Sequence, residues 1–130
     1  MCIFCDIIDH KIPSRVVYED DSVFAILDAG PLSYGHTLVM PKKHVDSFLE
    51  ADSETVAKCY AAAHKLAKQI VAKTGADGAN VLTNCGEAAG QSVSHMHIHI
   101  IPRYNGDNAI SFNHCEAEYD PDEVLAKIKD

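Results

Sequence analysis

Three histidines stand at alternate positions in the segment SHMHIHIIPRY, which covers residues 94–104. If residues 95–101 form a strand, all three point to one face of a sheet and the apolar residues between them point to the core. The histidines are His95, His97 and His99. Such a row is compatible with a metal site, with a nucleophile, or with an ordinary half-exposed strand.

The spacing of this row argues against one metal ion that is bound by all three imidazoles. Neighbouring side chains on one face of a strand lie about 6.6 to 6.8 Å apart, and the outer pair about 13 Å apart. Metal–nitrogen bonds are only about 2.0 to 2.1 Å long. The histidines must therefore divide their roles. A neutral imidazole is a competent nucleophile toward phosphorus and a good leaving group, so one of them can split a displacement into two steps.

The loop before the histidine row has the composition of an anion-binding site. Gly86 and Gly90 permit close approach of the backbone, and Gln91 and Ser92 add side-chain donors directly before the predicted strand. Donors around a phosphate and a nucleophile at its phosphorus are the two parts that phosphoryl chemistry needs. The sequence lacks a G-x-S-x-G motif, which disfavours serine-based acyl chemistry.

A meander of three strands and a long helix are predicted upstream of the loop. RVVYEDDSVFAILD contains two β-rich runs around a polar turn, and HTLVMPKKH contains a third. Asp52 or Ser53 is the expected cap of the helix, and Gly75 is expected to end it. Its apolar positions recur at helical spacing and are Val56, Tyr60, Ala63, Ala67 and Ile70.

Two further strands and a short helix complete the prediction. GANVLTNC and HMHIHIIP read as strands, the second of them closed by Pro102. DPDEVLAKIKD predicts a helix with Asp120 as its cap and Pro121 as its first residue. The order of elements predicts a single α+β domain over residues 1–130, with a mostly antiparallel five-stranded sheet, one long central helix and a short C-terminal helix.

Composition limits the partners and the compartment. The chain has 130 residues, enough for one domain, and its 19 acidic against 11 basic residues give a net charge of −8. That charge disfavours binding to nucleic acids and to anionic membranes. Five scattered cysteines are typical of a reducing compartment, and no apolar run approaches a membrane span. The first residues lack the pattern of a signal peptide. We therefore expect a cytoplasmic protein.

The segment GQSVSHMHIHIIPRY resembles the signature of the histidine triad (HIT) family of nucleotide hydrolases and transferases, His-φ-His-φ-His-φ-φ with φ apolar. IFCDIIDHKIPS, VFAILDAGPLSYGHTLVMPKKH and VLTNCGEAAG resemble other segments of the family in the same order. The match covers residues 2–104 and leaves 105–130 without a counterpart. It is similar to bacterial-type Hit and Hint-like members, and it implies a HIT-like fold.

The resemblance also implies roles for individual residues. His97 matches the nucleophile that attacks the α-phosphorus of a nucleoside 5′-phosphate derivative and carries a transient nucleotidyl group. Its other ring nitrogen is expected to stay protonated toward a backbone carbonyl. The other catalytic positions are His99, His36 and Ser92. The nucleotide-binding positions are Asp28 for the ribose hydroxyls, Asn84, Gly90 and Gln91 around the phosphate, and Phe4, Ile7 and Ile12 for the base.

Without the resemblance, several of these residues have simpler interpretations. Asp28 precedes a Gly-Pro break and can cap a turn. The three apolar residues can belong to the core, Asn84 can end a strand, and His36 can be a core histidine with satisfied hydrogen bonds. His97 is the residue that is least easily explained in this way. Histidines outside any motif are interpreted as surface residues, namely His10, His64 and His114.

A second site is suggested by the C-x-x-C of Cys2 and Cys5. The two cysteines resemble part of a Cys, Cys, His, His ligand set of some histidine triad proteins and of the related galactose-1-phosphate uridylyltransferases. By this resemblance, His44 and His95 would complete the set. Four such ligands suit a closed, structural zinc site. Two reduced thiols or a redox pair are the alternatives.

The prediction for function is a hydrolase of nucleoside phosphoramidates or related adenylates, in which water releases the nucleoside monophosphate from His97. The alternatives are a dinucleoside polyphosphate hydrolase, a non-catalytic zinc-stabilised nucleotide-binding protein, and a metal-dependent hydrolase that uses the triad as ligands. The resemblance implies a homodimer with the central helix and a sheet edge at the interface. No organic cofactor and no nucleic-acid or membrane partner are expected.

Overall fold

Within residues 2–129, which the computed structural model describes, five strands form one antiparallel sheet. They are β1 (Val16–Glu19), β2 (Val23–Leu27), β3 (Thr37–Pro41), β4 (Gly78–Thr83) and β5 (Ile98–Arg103). The helices are α1 (Ile3–Ile8), α2 (Ser53–Thr74) and α3 (Pro121–Ile128). The strand order is β1-β2-β3-β5-β4, so β5 and its histidines lie inside the sheet. The predicted fold class is confirmed.

The helix α2 begins and ends at the predicted residues. The Asp52 carboxylate accepts a hydrogen bond from the Thr55 N–H at 2.8 Å, and Gly75 ends the helix with a φ of 73°. The predicted apolar stripe is correct for Ala63 and Ile70, but Val56, Tyr60 and Ala67 pack only at its margin. The residues buried on α2 are Cys59, Ala62, Ala63, Leu66 and Ile70.

The sheet separates two hydrophobic clusters. One lies beneath α2 and includes the apolar residues between the histidines, Met96, Ile98 and Ile100, each at most 1% exposed. This confirms the predicted core face. The second cluster lies on the opposite face, beneath α1, and its buried members are Phe4, Ile7, Phe24, Ile26, Leu38 and Met40. The histidine side chains therefore lie on the α1 side of the sheet.

The last strand begins later than predicted. β5 starts at Ile98 instead of residue 95, and it ends at Arg103 instead of at Pro102. Before the strand, the N–H of Met96 bonds to the carbonyl of Val45 at 2.8 Å, outside the sheet ladder. Pro102 has no N–H to donate, but it is tolerated inside β5 because the pairing with β3 ends at Ile100. No hydrogen bond from residue 102 to β3 is therefore lost.

Two helices flank the body of the domain. The helix α1 was not predicted, because its six residues are too few for a periodic signal. The thiol of Cys2 caps it by accepting the Cys5 N–H at 3.4 Å. At the other end of the chain, α3 has the predicted cap, Asp120, and the predicted first residue, Pro121, but it buries no residue. No helix among residues 2–129 combines the length and the apolar character that crossing a membrane requires.

Candidate active site and metal cluster

The imidazole of His97 is buried and held in one tautomer. Its Nδ1 lies 2.7 Å from the backbone oxygen of His95, and its side chain is only 5% exposed. A carbonyl oxygen can only accept, so we assign the ring proton to Nδ1. The Nε2 atom of neutral His97 then carries a free lone pair, which is the state that a nucleophile requires.

A second pair of imidazoles lies beside His97. The backbone N–H of Leu32 donates to Nδ1 of His36 at 3.0 Å, so Nε2 of His36 carries the proton. That proton points to Nδ1 of His99 at 3.0 Å, with Oδ2 of Asp28 at 3.5 Å. Neutral His99 is thereby a donor at Nε2. The ring centres of His97 and His99 are 4.9 Å apart, which makes one continuous array.

Burial keeps this array neutral. It lowers the pKa of His97 and of His36 below the ordinary histidine value. Burial, with repulsion from the two neighbouring imidazoles, lowers the pKa of His99 to about 4. The negative charge of Asp28 acts in the opposite direction on all three. At neutral pH the array therefore offers lone pairs and N–H donors instead of positive charge.

Asp28 caps a turn and also faces the imidazole array. Its Oδ1 accepts the N–H of Gly30 at 2.8 Å, which is the turn-capping interpretation, while Oδ2 faces His36. The side chain is 22% exposed, so the carboxylate is also open to a ligand from solvent.

The four predicted metal ligands form a cluster. The ligand atoms of Cys2, Cys5, His44 and His95 all lie within 4.8 Å of one another. Nδ1 of His95 is 3.2 Å from Nδ1 of His44 and 3.4 Å from the Cys2 sulfur, and Cys5 sulfur is 3.4 Å from Nδ1 of His44. Tetrahedral zinc with ordinary bond lengths requires N···N of about 3.3 Å and N···S of about 3.5 Å. The four residues fit this ion.

The imidazoles of the cluster are oriented for a cation. Nε2 of His95 donates to the carbonyl of Pro41 at 2.8 Å, and Nε2 of His44 donates to the Asp46 carboxylate at 3.0 Å. Both Nδ1 atoms then carry lone pairs that face each other, which is favourable only with a cation between them. Without a metal, burial and the adjacent Cys2 raise the pKa of the Cys5 thiol to about 11, which favours the protonated thiol. A bound cation favours the thiolate instead.

A second group of possible ligands has the opposite arrangement. Asp28, His36 and His99 also place their donor atoms within 4.8 Å of one another. The Leu32 N–H occupies Nδ1 of His36, so the nitrogen that faces the other two residues is protonated. This proton disfavours a metal ion between Asp28, His36 and His99.

The loop before the triad is braced by one side chain. The amide of Gln91 donates to the carbonyls of Asp46, at 2.6 Å, and Val93, at 2.9 Å, and it accepts the Gly86 N–H at 2.8 Å. Both the oxygen and the nitrogen of this amide are therefore already hydrogen-bonded to the backbone. Ser92 is exposed, with its hydroxyl open to a ligand. Both predicted glycines have positive φ, 88° at Gly86 and 91° at Gly90.

The remaining predicted nucleotide-binding residues lie beside the loop or in the core. Asn84 is half-buried near Gly90, where a Cβ would lie 3.9 Å from its Nδ2. Phe4 and Ile7 are 7% and 8% exposed in the second hydrophobic cluster, and Ile12 is partly buried against it. Most of the surface of the first two is thus covered by protein. The histidines without a motif, His10, His64 and His114, are exposed as predicted.

Several residues that shape the site escaped the sequence analysis. Leu32 and Pro41 act through backbone atoms, which leave no side-chain signal. The hydroxyl of Thr83 donates to the carbonyl of His97 at 2.7 Å from the neighbouring strand, and this pairing is visible only after the strands are in register. Asp46 lies two residues after His44, and this spacing was a signal that could have been used.

Comparisons with known proteins agree with this geometry. A HIT domain model matches residues 9–106. An uncharacterized HIT-like protein of Methanocaldococcus jannaschii is 46% identical over 130 residues, which cover 99% of each chain. An adenylylsulfatase of Arabidopsis thaliana is 44% identical over 82% of this chain and 54% of its own. The crystal structure of a zinc-bound histidine triad family protein from Mycobacterium smegmatis superposes with a TM-score of 0.80, at 39% identity, over 89% of this chain and 84% of that one.

Proposed function

Because the chain belongs to the histidine triad (HIT) family of nucleotide-binding hydrolases and transferases, we propose that it hydrolyses nucleotide derivatives through a transient nucleotidyl group on His97. The observation that carries this proposal is the 2.7 Å contact between Nδ1 of His97 and the carbonyl of His95. It leaves the lone pair of Nε2 available and supports the positive ring that forms when Nε2 bonds to phosphorus.

The proposed reaction has two displacements. In the first, Nε2 of His97 bonds to the α-phosphorus and the bond to the leaving amine or oxygen breaks, with a proton following the leaving group. In the second, water attacks the same phosphorus, the phosphorus–nitrogen bond breaks, and the nucleoside monophosphate leaves. His99 is assigned as the proton donor, because its ring centre lies 4.9 Å from that of His97 and its Nε2 carries a proton while Nδ1 accepts from His36. Ser92 is proposed to contact the phosphate through its exposed hydroxyl.

Nucleoside phosphoramidates and related adenylates are the proposed substrates. The adenylylsulfatase relative supports an adenylate with a labile group on its phosphate. Asp28 is proposed to accept the ribose hydroxyls, since Oδ2 is not bonded to the turn and the side chain is partly exposed. A dinucleoside polyphosphate hydrolase has the same first step and differs only in its leaving group, and it stays the alternative.

We propose that the cysteine–histidine cluster holds a structural zinc ion. The support is the match of its distances to tetrahedral zinc and the zinc-bound structure of the mycobacterial relative. With four protein ligands the ion would be closed to substrate, and it would fasten α1 to the residues before β5. We also propose that the protein is cytoplasmic and that it forms a homodimer. The support for the dimer is that β4 is an outer strand of the sheet and that its Val81 is 42% exposed.

Hydrolysis of a fluorogenic adenosine 5′-phosphoramidate tests the proposed function. We expect His97→Ala to lower kcat/KM by about 10⁴-fold or more while the variant stays folded. His114→Ala is the matched control, because His114 is exposed in the tail, and it should retain wild-type activity. Dinucleoside tetraphosphate and adenosine 5′-phosphosulfate run in parallel identify the leaving group that is preferred.

Two results would contradict the proposal. Turnover that survives in His97→Ala would exclude His97 as the nucleophile. Nucleotide binding by zinc-loaded wild type without turnover of any of the three substrates would favour the non-catalytic binding protein.

A further inference from the structure

The candidate nucleophile and the metal cluster share one residue. Nδ1 of His95 faces the sulfurs of Cys2 and Cys5 at 3.4 and 3.6 Å. The backbone oxygen of the same residue accepts the proton on Nδ1 of His97 at 2.7 Å. A backbone shift at His95 that adapts its ring to the cluster would therefore also move the oxygen atom that holds the His97 ring.

The helix α1 makes a second connection. Phe4 lies between the two cysteines in the sequence, and its ring meets the His97 ring edge-on, with centres 5.0 Å apart and planes at 88°. It also meets the ring of His95, at 6.0 Å and 76°. Phe4 is only 7% exposed, so its ring is confined by the second hydrophobic cluster. Because edge-on contacts are directional, Phe4 restricts the plane of the His97 imidazole.

The position of α1 depends in turn on the cysteines. The helix has six residues, far fewer than an isolated helix needs for stability. Besides the contacts of its thiols with His44 and His95, it is held by the Cys2 cap on the Cys5 N–H and by apolar packing that includes Phe4 and Ile7. A cation that joins the cysteines to His44 and His95 would tie both ends of its first turn to the rest of the domain.

We propose that Phe4 is a positioning residue for His97, and that α1 transmits the occupancy of the cluster of Cys2, Cys5, His44 and His95 to the orientation of the nucleophile. The cluster then controls how rigidly His97 is held, in addition to fastening the chain. The proposal rests on the proposed function of His97. The coupling itself is a property of the ring and can be measured without turnover.

The deciding measurement is the exchange rate of the Nδ1 proton of His97, followed by NMR in protein with ¹⁵N-labelled histidine and assigned with His97→Ala. We expect slow exchange in protein loaded with Zn²⁺. Removal of the ion by chelation should speed exchange by about tenfold, the range of a lost directional aromatic contact, while amide protection in β3 and β5 stays unchanged. Equal exchange rates with and without Zn²⁺ would overturn the proposal.

The variant Phe4→Leu tests the connection with the ion still bound. It keeps apolar volume but removes the edge-on ring, so we expect faster exchange at His97 and a fall of about tenfold in kcat. One bound Zn²⁺ per chain should be retained. Phe24→Leu is the matched control, because Phe24 belongs to the same cluster and meets a different histidine, His10, edge-on at 6.1 Å.

The outcomes separate this proposal from the proposed function. Wild-type exchange in Phe4→Leu, or equal acceleration in the Phe24→Leu control, would show that Phe4 has no specific role. Turnover that does not depend on His97 would overturn the proposed function, whereas the comparison of exchange rates would still decide the coupling.

Discussion

At the scale of single residues, the site assigns different chemistry to identical side chains by bonding one nitrogen of each imidazole. His95 donates through Nε2 to a carbonyl and keeps Nδ1 free for a metal, whereas His97 donates through Nδ1 and keeps Nε2 free. In His36 a backbone N–H occupies Nδ1, so its free proton faces the neighbouring ring. The proposed metal ligand His95, the proposed nucleophile His97 and the hydrogen-bond donor His36 are therefore distinguished by the hydrogen-bond partners of their rings.

The dependence of activity on pH follows from these environments. Burial lowers the pKa of His97, so its ring stays neutral at a pH where an ordinary histidine would be protonated. We therefore expect the acid limb of kcat/KM for the phosphoramidate to have its midpoint below the ordinary histidine pKa of about 6.5. A steady-state profile measures this, and a midpoint of the acid limb at or above the ordinary histidine pKa would contradict it.

The charge of Asp28 provides a test of whether the pKa of His97 controls the acid limb of kcat/KM. Its negative charge raises the pKa of His97, so Asp28→Asn should move the acid limb of kcat/KM to lower pH. A shift toward higher pH, or none, would mean that another group controls the limb. His114→Gln, an exposed histidine in the tail, serves as the control and should leave the profile unchanged.

At the scale of elements, one loop connects the proposed phosphate side of the site with the candidate metal cluster. Gln91 bonds to the backbone of Asp46, and the Asp46 carboxylate in turn orients His44. The sequence analysis placed Gln91 around the phosphate, whereas in the structure its amide bonds to the backbone of Gly86, Asp46 and Val93. A polar residue beside a glycine can bind a ligand or the backbone, and only the folded partners decide between them.

The variant Gln91→Glu tests this connection. The new carboxylate would face the carbonyls of Asp46 and Val93 with no proton to donate, so the loop should loosen. We expect zinc affinity to fall by about tenfold, as for other residues that orient ligands, and KM for the nucleotide to rise. Competition with a chelating dye measures the first. Glu87→Gln, on the exposed part of the same loop, should change neither, and unchanged zinc affinity in Gln91→Glu would contradict the connection.

At the scale of the whole molecule, burial is confined to the part of the chain before residue 105. Arg103 marks the border, where its guanidinium bonds to Asn80 at 2.8 Å and to Asp107 at 3.0 Å. From residue 111 to 129 every described residue is exposed, although Phe112 and Tyr119 are large and apolar. The tail therefore contributes little to the core, and it has no counterpart in the family signature.

Removing residues 111–130 should accordingly leave the domain intact. We expect the free energy of unfolding in urea to change by less than about 1 kcal/mol, because no buried contact is lost. Sedimentation should give the mass of two copies for both chains, since the proposed interface involves α2 and β4. A loss of several kcal/mol, or a truncated monomer beside a full-length dimer, would place the tail in the interface. A monomeric full-length chain would contradict the homodimer.

The sequence by itself determined the order of the five strands with α2 and α3, the caps of these two helices, the core residues between the histidines and the candidate residues of both sites. These features depend on local periodicity and on side-chain chemistry, which the sequence displays directly. The tertiary structure decided the start of β5, the presence of α1, the tautomers of the histidines and the role of Gln91. Each of these depends on partners that are distant in the sequence or on backbone atoms common to all residues: the carbonyl that orients His95, for example, belongs to Pro41, 54 positions away.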